Sequence, residues 1–268
     1  MQLASKQCLW TDGFSGTLVE VVMTASTGKY IKFLIRHQPD KICVVDWGDG
    51  TKTESAYDPD NVYLAHTYAE YGEYKIVFRG IRCVAFRDLD GSPSYQFDSS
   101  VRSVVDYSGQ ITECPSGAFK KNSVLERYIC PNCTFMGQRS FAYCTKLKKV
   151  QVGSCTVYYD GTFQYCASLT DIIMKSAGIC WSYVWMGCAS LTELRVGSVS
   201  QFATQDFTST PMLTDIWISD KTVEQIKGTA TEGNIGHGYG AVFPWGANET
   251  CRFHGTNGIV LGNGTIVT

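Results

Sequence analysis

Gly137-Gln138-Arg139-Ser140-Phe141-Ala142-Tyr143-Cys144-Thr145-Lys146-Leu147-Lys148-Lys149-Val150-Gln151-Val152 returns 22 residues later, as Tyr159-Asp160-Gly161-Thr162-Phe163-Gln164-Tyr165-Cys166 and on through Leu169-Thr170-Asp171-Ile172. The same spacing extends to both sides. Leu125, Leu147, Leu169, Leu191 and Leu213 form one column. Three residues after each Leu stand Tyr128, Val150, Ile172, Leu194 and Ile216, and five after stand Cys130, Val152, Met174, Val196 and Ile218. Six before stand Phe119, Phe141, Phe163, Trp185 and Phe207, and three before stand Asn122, Cys144, Cys166, Cys188 and Thr210. A unit this short cannot bury its apolar face alone and must stack on its neighbours, so the period predicts a solenoid. The L-x-x-Φ-x-Φ segment reads as a strand whose copies form a parallel sheet, with the aromatic filling the wide part of each coil. Further apolar segments at 133–136, 155–158, 177–180 and 199–202 read as a second strand per coil.

This unit resembles the BspA-like leucine-rich repeats of bacterial surface proteins over about residues 111–219. The resemblance implies surface or extracellular adhesion, and such repeats also occur in virion proteins. Trp185 in place of Phe and Thr210 in place of Cys depart from the pattern in ways that suit wider or capping coils.

Twelve cysteines suggest a disulfide framework at first sight. Their columns argue otherwise. Cys144, Cys166 and Cys188 share one position, Cys133 and Cys155 another, Cys114 and Cys180 a third. That arrangement reads as a ladder of free, buried thiols acting as small hydrophobes, although a bridge up a column is not geometrically forbidden. Cys130-Pro131-Asn132-Cys133 has zinc-knuckle spacing but no second ligand pair at usable distance. Neither a metal nor any other cofactor is expected.

Ahead of the repeats the chain reads as all-β, with β-branched runs at 17–23, 30–35 and 42–47 separated by turn signals. Val45-Asp46-Trp47-Gly48-Asp49-Gly50-Thr51, and His66-Thr67-Tyr68 through Gly72-Glu73-Tyr74, resemble the two signature stretches of polycystic-kidney-disease (PKD) domains. The resemblance spans about residues 17–86 and implies an immunoglobulin-like sandwich serving as spacer, protein-contact module or carbohydrate-associated module. Asp46 and Asp49 offer carboxylates to calcium, yet full coordination needs about six oxygens. A tight Asp49-Gly50 turn is the favoured reading. His66 is expected to be structural.

The expected organisation is an arm at 1–16, a PKD-like sandwich at 17–86, a junction and N-terminal cap at 87–110, the solenoid at 111–220 and a β-containing C-terminal cap at 221–268. The cap holds a short helix at 222–227 and a Gly-Asn-Gly turn at 262–264. The fold class is therefore mainly β.

A formal net charge of -2 without a basic stripe excludes a phosphate-tracking nucleic-acid binder. No run of 18 apolar residues is present to span a membrane as a helix. The stretch from Met1 to Trp10 does not read as a secretory signal. No GxSxG, HExxH or P-loop occurs, and an enzyme is not expected. A carbohydrate-active enzyme with carboxylates distant in sequence is the last-placed alternative.

Alternation along each repeat strand turns two columns outward. Two residues after each Leu come Arg127, Lys149, Asp171, Glu193 and Asp215. Four after come Ile129, Gln151, Ile173, Arg195 and Trp217. The binding face is expected at Lys149, Gln151, Asp171, Ile173, Glu193, Arg195, Asp215 and Trp217, with Trp217 as an interface anchor. Tyr159, Trp181 and Tyr183 on the second strand would stack on sugars or pack a neighbouring subunit. The expected role is non-catalytic binding or adhesion at a virion or cell surface, toward a protein or carbohydrate receptor. The alternative is a structural virion component (tail, fibre or decoration protein) contacting other virion proteins, and a homo-oligomer is a further partner reading.

Overall fold

The computed structural model describes residues 18–86, 100–202, 206–227 and 249–267. The arm at 1–16, the turn-rich stretch at 88–93 and the glycine-rich loop at 233–240 lie outside them.

Seven strands open the chain: β1 (Val19–Ala25), β2 (Lys29–His37), β3 (Cys43–Asp46), β4 (Lys52–Ser55), β5 (Val62–Tyr68), β6 (Gly72–Arg79) and β7 (Ile81–Ala85). Antiparallel pairing orders them β4-β3-β6-β1 in one layer and β5-β2-β7 in the other. Val19, Val21 and Met23 alternate inward along β1. Phe33 on β2 meets Phe78 edge-on at 5.6 Å and stacks on Trp47 at 5.7 Å, which closes the two layers over one apolar interior.

The repeats follow as β8 (Val101–Asp106), β9 (Glu113–Cys114), β10 (Arg127–Cys130), β11 (Phe135–Met136), β12 (Lys149–Tyr158), β13 (Asp171–Cys180), β14 (Glu193–Val196), β15 (Val199–Gln201) and β16 (Asp215–Ile218). Then come α1 (Val223–Lys227) and a meander of β17 (Arg252–His254), β18 (Ile259–Leu261) and β19 (Ile266–Val267). The repeat strands pair in parallel with the sequence period as their register: Arg127 on Lys149, Lys149 on Asp171, Glu193 on Asp215. The parallel solenoid expected from the columns is thus present, with two strands per coil. β12 and β13, ten residues each, pass from the first layer into the second without a break.

The solenoid and the sandwich are joined through their sheets. β8 pairs antiparallel with β1 and parallel with β10. β9 pairs in parallel with both β7 and β11. Each sandwich layer therefore continues into one solenoid layer. Within the stretch expected as junction and N-terminal cap, β8 is an inner strand with partners on both edges. Its register, Ser103 on Arg127, departs from the repeat period.

The core is equally continuous. Buried rings run in file from Phe33 to Phe86 (4.0 Å), Phe119 (5.6 Å), Phe141 (5.3 Å) and Phe163 (5.5 Å), and further along the solenoid Trp185 stacks on Phe207 (5.2 Å). Each such ring contributes roughly 1.5–3 kcal/mol by leaving water. Beside this file Glu113 of β9 is gripped by Arg36 of β2 and Arg82 of β7, an ion-paired clamp across the same join.

The cysteine columns are built as hydrogen-bonding core positions. Cys144, Cys166 and Cys188 donate their thiols to the carbonyls of Phe119, Phe141 and Phe163 at 2.9, 3.1 and 3.2 Å, each reaching back one coil. Asn122 and Thr210 hold the ends of that column, with Asn122 donating to the carbonyl of Val101 and Thr210 to that of Phe207. All eleven described cysteines are buried and unbridged. Burial pushes Cys188 up to about 12 and Cys155 to about 11.

A second periodicity sits in the backbone. Gly117, Arg139, Gly161 and Tyr183 recur with φ between 53° and 68°, and Lys121, Tyr143, Tyr165, Gly187 and Ser209 with φ between 58° and 75°. Two left-handed corners per coil turn the chain between layers, and only some of them carry glycine.

Candidate functional site

The outward side of the first layer holds the residues singled out by the strand alternation. On β12, β13, β14 and β16 the residues between the buried ones are half-buried or exposed, Ile173 at 45% and Trp217 at 38% among them. Parallel register puts Gln151, Ile173, Arg195 and Trp217 side by side on successive coils. β17 extends this row, because it pairs in parallel with β16 and sets His254 against Trp217.

The end of the row is a stack. The Trp217 and His254 rings lie 3.7 Å apart and 9° from parallel. The Arg195 guanidinium lies 4.9 Å from the centre of the Trp217 ring. Such a cation–π contact is worth about 0.5–1 kcal/mol at an exposed site.

The charged column runs beside it and is paired from Lys149 to Asp215. Lys149 reaches Asp171 at 2.6 Å across one coil, and Arg195 returns to Glu193 at 3.0 Å on its own strand. Asp215 accepts from Arg252 and from Nε2 of His254, both at 2.6 Å. An ionised carboxylate only accepts, so Nε2 carries the proton in that bond. Burial pushes the Asp215 carboxyl up, but hydrogen bonds from Arg252, His254 and Thr214 and the charge of Arg252 outweigh it and hold the group at about 2.

Between these side chains lies a depression of about 470 Å³, lined by Asp171, Ile173, Glu193, Arg195, Trp217 and His254 over a floor that includes Gly197 and Thr256. Five of the eight expected site residues line it. Lys149 and Gln151 sit farther up the same columns, outside the lining, and Asp215 lies behind His254. Arg252 and His254 escaped the sequence reading, because residues inserted between β16 and β17 stretch the spacing from 22 to 37 (215 to 252). The available signal was Arg252-Phe253-His254, which repeats the outward-inward-outward pattern of Asp215-Ile216-Trp217.

The site is mixed in its chemistry. It presents an aromatic edge, an isoleucine and paired charges. No hydroxyl or thiol among the described residues is hydrogen-bonded to His254. No cluster of three or more His, Cys, Asp or Glu suited to a metal occurs among the described residues.

In the sandwich, Asp49 accepts from Thr51 N (3.0 Å) and Thr51 Oγ1 (2.7 Å) on one oxygen and from His66 Nε2 (2.7 Å) on the other. Asp46 accepts from Gly48 N and pairs with Lys52. The carboxylates considered for calcium are thus engaged in closing the turn, and His66 stacks on Trp47 at 4.7 Å.

Comparison with known proteins follows the repeat. The family described as "BspA type Leucine rich repeat region" matches in six copies over residues 85–170 and 112–234, more than half of the chain. No curated protein matches. Among solved structures the chain is similar to a leucine-rich repeat protein from Bacteroides ovatus ATCC 8483, at 18% identity and a TM-score of 0.37, over 58% of this chain. The chain spans 42% of that protein's length.

Proposed function

This chain belongs to the BspA-type leucine-rich repeat family, and from that premise we propose that it is a non-catalytic binding protein that recognises a partner protein through the outward face of the first layer. The observation that carries the reading is the Arg195–Trp217–His254 stack at the edge of the depression. Trp217 is covered on one ring plane by His254 and on the other by Arg195, so an edge rather than a plane faces a ligand. A sugar ring stacks on an open aromatic plane. A protein surface needs an aromatic and an arginine held rigidly beside a mixed-charge rim, which favours protein over glycan here.

The ion-paired column supports the same reading. From Lys149 to Asp215 each outward charge of the column is pre-oriented by a neighbour, so little side-chain freedom is lost on docking. The sandwich serves as a PKD-like mount, an interpretation supported by the Trp47–Thr51 turn locked to His66. The surface setting, on a cell or as a tail or fibre component of a phage particle, rests on the likeness of the repeat to those of bacterial surface proteins.

The test is binding of the whole chain to arrays of purified cell-surface proteins and of glycans, beside Trp217→Ala. Protein hits that weaken at least about tenfold in Trp217→Ala support the reading. Glycan hits alone, or protein hits indifferent to the substitution, overturn it.

A further inference from the structure

The opposite side of the solenoid differs in kind. Beyond β9, whose Glu113 is ion-paired to Arg36 and Arg82, residues 132–136, 154–159, 176–181 and 198–202 build the second layer and contain no Asp, Glu, Lys or Arg. Their outward positions carry Phe135 (39% exposed), Ile179 (40%), Trp181 (50%) and Tyr159 (36%), with half-buried Val157 between them and Tyr183 just beyond. These side chains are contiguous. Phe135 lies 5.7 Å from Tyr159 and Tyr159 lies 6.1 Å from Trp181, ring centre to ring centre. Val157 pairs with Ile179 in the ladder. Nothing in the mixed-charge site on the first layer uses this strip.

We infer that the strip is a self-association surface, on which a second copy of this chain docks two-fold through the second layer. Three observations select that occupant. First, the composition is that of a homodimer core, aromatic and aliphatic with charge removed, whereas the first layer carries a charged residue on every coil. Second, the area is of the right order. At roughly 200 Å² for each large side chain, the exposed parts of Phe135, Tyr159, Ile179, Trp181 and Tyr183 come to about 400 Å². Two copies then cover about 800 Å² before the Thr and Ser rim is counted, and the rim carries the total toward the roughly 1,000 Å² that a specific interface clears. Third, Tyr159 and Trp181 stack on one another at 6.1 Å and 24°, so each takes up part of its neighbour's ring plane. Rings engaged with each other in this way offer a sugar a smaller platform than an open aromatic does. A flat strip that meets itself about a two-fold axis closes as a dimer and does not propagate.

The experiment is light scattering coupled to size exclusion, with sedimentation, on the whole chain at micromolar concentration. The result expected is a dimer for the unaltered protein and a monomer for Ile179→Asp and for Trp181→Glu, with the dimer's dissociation constant raised at least about 100-fold. Both positions point outward, so the far-ultraviolet dichroism and melting profile of the separated monomers should match a folded chain. Tyr30→Asp, an equally drastic change on the exposed sandwich surface, should leave the dimer intact. An unaltered protein that stays monomeric overturns the proposal, as does a dimer that survives both charge substitutions. Because first-layer binding is read on arrays with Trp217→Ala, either proposal can fail alone.

Discussion

Trp217 and His254 are 37 positions apart in the chain, yet their rings lie 3.7 Å apart and nearly parallel. The stack joins the last 22-residue strand to the C-terminal meander, and Asp215 ties the same two strands through Arg252 and His254. The cap thereby extends the outward face of the first layer as well as covering the end of the solenoid.

Removing the imidazole should therefore act on stability and on the site together. His254→Ala deletes a stacked ring and leaves the Asp215 oxygen it served without that donor, at a cost of about 1–2 kcal/mol. His254→Phe keeps the ring and loses the bond, and should fall between. Urea unfolding followed by tryptophan fluorescence measures both. Equal stability of all three proteins would show that the stack holds nothing.

Acid should loosen the same join. The folded-state value of Asp215, about 2, lies below the roughly 3.9 of an unfolded aspartate. A depressed carboxyl contributes stability that is complete above the unfolded value and is lost as pH falls through the folded one. Asp49 is shifted in the same direction, because hydrogen bonds from Thr51 and His66 outweigh the upward push of burial. The stability gap between the unaltered protein and Asp215→Asn should be constant near neutrality and shrink between about pH 5 and about pH 2. A gap independent of pH across that window would refute the assignment.

Thiol chemistry offers a cleaner readout. With eleven cysteines buried and unbridged, and burial raising every one for which a shift is resolved, a Cys8→Ser variant should show no fast reaction with a thiol reagent at pH 8. Eleven thiols should titrate once the chain is unfolded. Fewer than eleven under denaturing, non-reducing conditions would reveal disulfides instead of a ladder.

The period made most of this legible. Five columns specified which residues enter the core, and thiol spacing specified a ladder in place of a framework, because a stacked fold copies one local solution. Relationships that do not repeat stayed hidden. The joining of β8 to β1 breaks the register of the repeats, and β17 follows an insertion, so neither obeys the spacing that exposed the rest. The left-handed corners were concealed for another reason. Arg139, Tyr143 and Tyr165 occupy them without the glycine that usually signals such a backbone.

Two glycines separate corner from sheet. Gly161 sits at φ 62°, where an added Cβ meets only side-chain atoms at 3.2 Å or more. Gly161→Ala should cost about 1 kcal/mol in backbone strain. At Gly178 a Cβ would stand 2.3 Å from the carbonyl oxygen of Thr156 on the neighbouring strand, so Gly178→Ala must move backbone and should cost more than Gly161→Ala. Thermal unfolding of the two variants gives the order directly. The reverse order would contradict the packing of the second layer described above.

The most direct test of the recognition face is photo-crosslinking with a benzophenone amino acid at position 173, in the depression, and in separate chains at position 179 on the second layer and at position 41 on the sandwich. Each chain is irradiated in a cell-surface protein extract. The result expected is a discrete heterologous adduct from position 173, lost when Trp217→Ala is added, with none from position 41 and only self-adducts from position 179. Heterologous adducts that arise from position 41 or 179 while position 173 stays silent would contradict the assignment of the first layer as the binding face.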